Sequence, residues 1–272
     1  VDTTDAENVL PLFNARTRLL WIESPTNPTL KISDIRTLAN YAHEAGAWVV
    51  VDNTFASPVA QRPIGLGADI VIHSATKYIG GHSDLVAGLV ITAHPELSQQ
   101  LKFIQNASGG ILGPWDCFLT IRGLETIVLR VQKQNESAQR IAEFLTTREE
   151  VAEVYYPGLA THKNHGIAKF QQNGTFGGVV SFTLVDDTEE AARKFVTNTR
   201  YFKLAESLGG VKSLLCHPAR MTHASVPREK RLQAGVHDSL IRLSVGIEEC
   251  EDLIADLEQA FVNINENILE TI

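Results

Sequence analysis

A lysine, two hydroxyls and a pair of glycines fall within eight residues of one another: Ser74, Thr76, Lys77, Gly80 and Gly81. A lysine amine can attack a carbonyl carbon, and hydroxyls beside it can hold an oxyanion. The glycines allow a sharp turn or the close approach of a ligand. A lysine that follows a strand is often only a solvated surface residue, so the groups around Lys77 decide its assignment.

Three short apolar runs predict strands that are covered on both faces, as in a parallel sheet: residues 18–23, 47–51 and 70–72. A polar group follows each run, namely Asn27, Asp52 and the cluster that contains Lys77. In open α/β sheets, ligands bind at the carboxyl ends of the strands. We therefore expect these three groups to converge on one binding crevice.

The elements between and after these strands predict two domains. A helix is expected between an N-cap at Ser33 and a stop at Gly46. A long helical region follows at 115–145, with an interruption near Gly123, and the later strands and helices have a different order. We predict an α/β domain with a largely parallel sheet at residues 1–128 and a smaller α+β domain at residues 129–272, which includes the linking helix.

Composition argues against several classes of function. The formal net charge of −8 gives no electrostatic support for nucleic-acid binding. No apolar run approaches the roughly 18 residues that cross a bilayer, and the acidic start of the chain does not resemble a signal peptide. Three widely spaced cysteines indicate neither a disulfide framework nor a metal site. A cytoplasmic protein without a bound metal is expected.

The cluster around Lys77 suits pyridoxal phosphate, whose carbonyl forms a Schiff base with a lysine. That cofactor needs an acid beside its ring nitrogen, which Asp52 can supply. It needs donors for its phosphate, and Ser74 and Thr76 can supply these. The carboxylate of an amino-acid substrate needs a cation, and Arg242 lies in an apolar strand where an anionic partner is required.

Each of these residues also has a purely structural interpretation. Asp52 can cap the following turn, and the two hydroxyls can be caps as well. Arg242 can form a structural salt bridge. The sequence Gly65-Leu66-Gly67 suggests a dinucleotide loop, but Ile70 stands where a third glycine is needed and no strand directly precedes it, so a Rossmann site is not expected.

Several motifs, spread over nearly the whole chain, carry a specific family pattern: Ser24-Pro25-Thr26-Asn27-Pro28, Val50-Val51-Asp52-Asn53-Thr54-Phe55, Ser74-Ala75-Thr76-Lys77-Tyr78, Gly81-His82-Ser83-Asp84, Ala205-Glu206-Ser207-Leu208-Gly209-Gly210, Met221-Thr222-His223 and Ile241-Arg242-Leu243-Ser244-Val245-Gly246. In type and order they resemble the trans-sulfuration (Cys/Met metabolism) enzymes that use pyridoxal phosphate. The resemblance implies the type I, aminotransferase-like fold, with a large cofactor domain and a small C-terminal domain.

The resemblance also implies roles for individual residues. Lys77 becomes the Schiff-base lysine and Asp52 the partner of the pyridinium nitrogen, while Ser74 and Thr76 become phosphate ligands. The remaining matched positions become contacts to the substrate, with Asn27 also touching the cofactor: Asn27, Glu206, Ser207, Thr222 and Arg242.

Within the family, the pair Glu206-Ser207 resembles cystathionine γ-lyases and γ-synthases more than methionine γ-lyases, which tend to be apolar at that position. A glutamate there could meet the distal amino group of cystathionine. The run from Pro218 to Ser225 looks most like bacterial cystathionine γ-lyases. The resemblance implies γ-elimination of cystathionine to cysteine, 2-oxobutanoate and ammonia. The alternatives are γ-replacement on an O-acyl-homoserine with cysteine, and a non-catalytic fragment that acts as an assembly partner.

Family members carry further sequence before the position of Val1. It includes a glycine-containing phosphate loop, a tyrosine that stacks on the cofactor ring, and residues that reach a neighbouring subunit's site. We therefore expect the large domain of this chain to lack its N-terminal part. The resemblance further implies a homotetramer whose sites are shared between subunits.

Overall fold

The structure is a computed structural model that describes the backbone of residues 1–269 and the side chains of residues 1–262. The chain forms two compact units. The first contains residues 1–26, 31–128 and 163–176. The second contains residues 27–30, 129–162 and the described residues from 177 onward. The main boundary along the chain therefore falls between Val128 and Leu129.

The first unit contains a four-stranded sheet. Its strands are β1 (Leu19–Glu23), β2 (Trp48–Asp52), β3 (Ile70–Ser74) and β4 (Gly88–Thr92), and they lie in that order. The first three strands are parallel and β4 is antiparallel to β3. The predicted parallel arrangement of the first three strands is confirmed. The expected cover on both faces is incomplete, because Leu19 and Trp21 of β1 and Trp48 of β2 are exposed.

The helices of the first unit are α1 (Ile35–Glu44), α2 (Ser57–Ala60), α3 (Pro95–Ser108), α4 (Pro114–Glu125) and, later in the chain, His165–Gln171. Helix α1 buries Leu38 and Ala42 in a core shared with Val49 and Val51 of β2. Apolar side chains three and four residues apart place one face of the helix on the sheet.

The N-cap of α1 is Asp34, and the prediction of Ser33 is wrong. Asp34 Oδ1 accepts the backbone N–H of Thr37 at 3.1 Å. Ser33 instead donates its own N–H to Ser24 Oγ, so it is part of the preceding loop. Gly46 follows the helix with φ of 72°, as expected for a glycine stop.

The helical region at 115–145 is two helices. Helix α4 ends at Glu125, and α5 (Ile127–Thr146) begins after a break at Thr126. Thr126 donates its backbone N–H to the carbonyl of Gly123 at 3.3 Å, which closes the last turn of α4. The break therefore lies close to the expected interruption but three residues after Gly123.

The second unit contains a five-stranded sheet, together with α5 and three later helices. The strands are β5 (Val151–Tyr155), β6 (Val179–Leu184), β7 (Lys203–Leu204), β8 (Leu214–Cys216) and β9 (Ile241–Ser244), in the order β5-β6-β9-β8-β7. All pairs are antiparallel except β7 with β8. In chain order after α5, His165–Gln171 is α6, Glu189–Thr197 is α7, Arg228–Gln233 is α8 and Cys250–Leu269 is α9.

Aromatic packing forms the core of the second unit. The rings of Phe195 of α7 and Phe261 of α9 lie 4.7 Å apart, and Phe182 of β6 meets Phe195 edge-on at 5.5 Å. All three side chains are buried. Within the part of the chain that the structure describes, no helix combines the length and the apolar character needed to cross a membrane.

Candidate active site

In the first unit, Asp52 and Ser74 end two neighbouring parallel strands. Asp52 pairs in register with Ile72, so Ser74 lies two residues further along β3. Thr54 ties the two ends together. Its backbone N–H donates to Asp52 Oδ1 at 3.0 Å, and its Oγ1 accepts the N–H of Ser74 at 2.8 Å. Thr54 had no predicted role of its own, since a hydroxyl that joins two strand ends leaves no sequence period.

One carboxylate oxygen of Asp52, Oδ2, is available to accept a hydrogen bond from a ligand. Thr54 occupies Oδ1, and Oδ2 accepts no hydrogen bond from the described residues. The neighbouring His73 is buried, and burial lowers the pKa of its imidazole, although the charge of Asp52 acts in the opposite direction. His73 therefore stays neutral near pH 7 and does not neutralise Asp52. Asp52 is suited to receive a hydrogen bond from a cationic nitrogen.

Lys77 lies in a tightly wound turn that begins where β3 ends. Its backbone N–H donates to the carbonyl of Ser74 at 3.1 Å, and its own carbonyl accepts the N–H of Gly81 at 2.7 Å. The N–H of Gly80 donates to the carbonyl of Ala75, also at 2.7 Å. Gly81 has φ of 74°, a conformation that favours glycine. The turn thus holds a half-buried lysine three residues after the strand end.

The two predicted phosphate donors differ in their surroundings. Thr76 Oγ1 accepts the N–H of Ala87 at 3.0 Å and approaches the carbonyl of Ala87 at 3.3 Å. Its hydroxyl therefore closes the loop between β3 and β4, and it reaches another acceptor only by giving up the longer contact. The hydroxyl of Ser74 forms no hydrogen bond with the described residues and is open to a ligand.

These groups fit pyridoxal 5′-phosphate. The ring nitrogen needs a carboxylate oxygen, which Asp52 Oδ2 offers. The phosphate needs hydroxyl or amide donors, which Ser74 and Thr76 carry. The aldehyde needs an amine, which Lys77 carries. All four residues lie at the ends of two adjacent strands.

In the second unit, Arg242 is a buried cation whose hydrogen-bond acceptors are neutral. It lies on β9, the central strand, and is 3% exposed. Its Nη1 donates to Asn27 Oδ1 at 2.7 Å, and its Nη2 donates to the carbonyl of Ser207 at 2.9 Å. Its Nε has no partner, and none of the described carboxylates forms an ion pair with it. A buried guanidinium without a counter-ion is suited to bind a carboxylate.

Ser207 is held in a strained conformation beside this arginine. Its φ is 86°, in the left-handed region that residues other than glycine seldom adopt. The next residues are fixed, because Leu208 is buried and Gly209 donates its N–H to Ser244 Oγ at 2.9 Å. Strain of this kind persists where the surroundings enforce it, and it is common at ligand-binding sites.

The predicted specificity residue Glu206 is exposed and forms no hydrogen bond with the other described residues. Its charge nevertheless acts on Cys216, as the charge of Arg242 does. Burial raises the pKa of the Cys216 thiol, the charge of Arg242 lowers it, and the charge of Glu206 raises it. Glu206 and Arg242 therefore place charges of opposite sign near one buried thiol.

The side chain of Thr222 pairs with His223, and among the described residues it forms no hydrogen bond with Arg242. Its Oγ1 lies 2.9 Å from His223 Nδ1. Burial, followed by the charges of Arg242 and Arg231, lowers the pKa of His223. A neutral imidazole in the field of Arg242 was not assigned a role from the sequence, although His223 belongs to one of the family motifs.

A cluster of ionic groups supports the loop that carries Thr222. Burial raises the pKa of Asp238, but hydrogen bonds from Arg228 and Arg231 outweigh it, and the net shift is downward. The carbonyl of Asp238 also accepts a hydrogen bond from His217 Nε2 at 2.7 Å. Since the carbonyl of His217 accepts the N–H of Met221 at 3.0 Å, the cluster anchors the start of this loop.

Each unit thus gathers its own set of predicted site residues. The first brings together Asp52, Ser74, Thr76 and Lys77. The second brings together Asn27, Ser207 and Arg242. Glu206 and Thr222 make no hydrogen bond to that second group among the described residues.

Known proteins match this chain over almost its whole length. The family model for Cys/Met metabolism PLP-dependent enzymes matches residues 1–262. A cystathionine γ-lyase of Bacillus subtilis is 51% identical over 264 residues, which are 97% of this chain and 69% of that protein. A cystathionine β-lyase of Lactococcus lactis is 52% identical, covering 96% and 68% of the two chains.

A further relative and a solved structure complete the comparison. A cystathionine γ-synthase of Mycobacterium bovis is 50% identical, covering 96% of this chain and 66% of that protein. The structure of a cystathionine γ-lyase from Lactobacillus plantarum, complexed with L-serine, superimposes with a TM-score of 0.94 at 44% identity and covers 97% and 69% of the two chains. The chain therefore belongs to the Cys/Met metabolism family of pyridoxal-phosphate-dependent enzymes, and it is an enzyme similar to the carbon–sulfur lyases of that family.

Proposed function

We propose that the protein catalyses the γ-elimination of cystathionine, which yields cysteine, 2-oxobutanoate and ammonia. The observation that carries the proposal is the buried guanidinium of Arg242, which has two neutral acceptors and no ionic partner among the described residues. Such a group binds the carboxylate of an amino acid. The similarity to cystathionine γ-lyases at about half of all positions supports the same substrate class.

The residues of the first unit perform the proton chemistry. Pyridoxal 5′-phosphate, when bound, supplies an electron sink for the negative charge that develops at the substrate α-carbon. Asp52 Oδ2 would accept the hydrogen of the ring nitrogen and keep it protonated. Ser74 and Thr76 would bind the phosphate. Lys77 would hold the cofactor through its amine, and the same amine would take the α-proton of the substrate.

The residues of the second unit orient the substrate. Arg242 binds the α-carboxylate, and Asn27 and the carbonyl of Ser207 fix the plane of its guanidinium. Glu206, which is exposed and unpaired among the described residues, binds the distal ammonium group of cystathionine. Thr222 contributes a hydroxyl to the substrate site.

Two other reactions of the same substrate class have support from relatives. A γ-synthase is 50% identical and a β-lyase is 52% identical. Identifying the products separates the three. Purified protein with pyridoxal 5′-phosphate and cystathionine should release cysteine and 2-oxobutanoate. Release of homocysteine and pyruvate would indicate β-elimination, and net formation of cystathionine from O-acyl-homoserine and cysteine would indicate the synthase reaction.

A non-catalytic assembly partner is the remaining alternative from the sequence. An absorbance spectrum with and without added pyridoxal 5′-phosphate distinguishes it, because a catalytic chain should develop a visible band that free cofactor lacks. We further propose a cytoplasmic homotetramer with sites shared between subunits. Light scattering after size exclusion measures that assembly directly.

A further inference from the structure

Gly123 of α4 lies directly against the loop that carries Lys77. A Cβ atom at position 123 would lie 2.5 Å from the carbonyl oxygen of Gly80 and closer still to that of Ile79. Real Cβ atoms essentially never come within 3.0 Å of another heavy atom, and both obstructing atoms here belong to the backbone. Only glycine permits this contact between the helix and the loop.

The turn that carries Lys77 is also closely packed at Gly80. A Cβ atom at Gly80 would lie 3.0 Å from the carbonyl oxygen of Ala75 and 3.1 Å from Leu85 Cδ2. Tyr78 and Ile79 are buried. Interiors packed at this density transmit a displacement and do not absorb it.

The position of these carbonyls is linked to that of Lys77. The N–H of Gly81 donates to the carbonyl of Lys77, and the N–H of Gly80 donates to the carbonyl of Ala75, each at 2.7 Å. Ile79, Gly80 and Lys77 therefore belong to one hydrogen-bonded turn. A shift at Ile79 and Gly80 moves the backbone from which the lysine side chain projects.

We propose that Gly123 is a positioning residue for Lys77. By allowing α4 to touch the backbone of the turn, it fixes the direction in which the amine is presented. The inference rests on the proposed function, because it takes Lys77 as the residue that attaches the cofactor. An added methyl group would need a displacement of roughly 1 Å, and errors of that size at a reactive group cost about 10²-fold in rate.

Gly123→Ala in the 272-residue chain tests this proposal, and Gly166→Ala is the matched control. Gly166 is also a helical glycine of the first unit, and nothing lies within 4 Å of the Cβ it would gain. Affinity for pyridoxal 5′-phosphate is measured by absorbance titration, and hydrogen exchange is measured on peptides that contain residues 74–88. We expect Gly123→Ala to weaken cofactor binding at least tenfold and to speed exchange at Gly80 and Gly81, while Gly166→Ala matches the wild type.

Unchanged affinity and unchanged exchange in Gly123→Ala would overturn the proposal. If the wild-type chain itself binds no cofactor, the proposed function fails, and the exchange comparison alone decides the positioning role. If Gly123→Ala does not fold, Gly80→Ala adds a milder strain to the same packed turn. Weaker cofactor binding and faster exchange in Gly80→Ala, by less than the amounts expected for Gly123→Ala, would then support the proposal. Exchange and affinity equal to those of the wild type would overturn it.

Discussion

Arg242 Nη1 donates a hydrogen bond of 2.7 Å to Asn27 Oδ1, across 215 positions of the sequence. The contact joins the central strand of the second sheet to a short segment that follows β1 in the chain. It uses a neutral amide where an ion pair would have satisfied the guanidinium more strongly. The charge of Arg242 is therefore left for a ligand, and the amide sets its orientation.

Asn27→Ala should mainly weaken substrate binding. It removes one acceptor from a buried cation, and a hydrogen bond to a charged group contributes about 1.5–3 kcal/mol. We expect KM for cystathionine to rise about tenfold or more, with a smaller change in kcat. Steady-state kinetics measure both values. Asn106→Ala, at an exposed site on α3, should leave both unchanged, and equal kinetics in the two variants would contradict the assigned role of Asn27.

Asp52→Asn should impair catalysis while leaving the fold intact. The amide oxygen still accepts the N–H of Thr54, so the tie to Ser74 persists. The charge that keeps the ring nitrogen protonated is lost, and removal of one such electrostatic group costs about 10²–10³-fold in kcat. Single-turnover kinetics and urea unfolding are the two measurements. Asp186→Asn, at an exposed position, is the control; a fully active Asp52→Asn variant would exclude the proposed contact.

The stability of the first unit should decrease in mild acid because of His73. Burial lowers the pKa of this imidazole in the folded protein, against about 6.5 in the unfolded chain. Between the two values the unfolded chain binds more protons, so stability rises with pH in that window and falls as the pH drops below about 6.5.

Urea unfolding of the wild type and His73→Gln at pH 7.5 and 5.5 measures this effect. The variant carries no group that titrates at position 73, so it should lose less stability between the two pH values. An equal loss in both proteins would show that His73 is not responsible.

The sequence predicts the positions of the first three strands, although β3 continues to Ser74, beyond the expected end at Ile72. Three continuous apolar runs each stop at a polar group, and the proposed chemistry of Asp52 and Lys77 rests on the residues around them and on the family resemblance. The short strands β7 and β8 were not predicted, because two and three residues cannot show a period. The prediction that Ser33 is the N-cap of α1 was wrong. Serine and aspartate are both favoured at this position, and the sequence does not show that the N–H of Ser33 donates to Ser24 Oγ in the preceding loop.

The features that the sequence did not predict depend on contacts between residues that are far apart in the chain. The tie through Thr54, the ionic cluster at Asp238 and the close approach at Gly123 each need two segments to meet in space. A glycine within a helical pattern predicts a break in the helix. Gly123 instead lies within α4, where it lets the helix approach the backbone of Ile79 and Gly80. Such close approaches become visible only when the neighbouring element is known.

Covalent attachment of pyridoxal 5′-phosphate to Lys77 is the most direct test of the account. The protein is loaded with cofactor, reduced with borohydride, digested and mapped by mass spectrometry, and Lys77→Ala and Lys102→Ala are treated alike. Lys102 lies exposed on α3. We expect the added mass on Lys77 in the wild type and in Lys102→Ala, and neither added mass nor turnover in Lys77→Ala. Full turnover by Lys77→Ala, or modification of a different lysine in the wild type, would contradict the account.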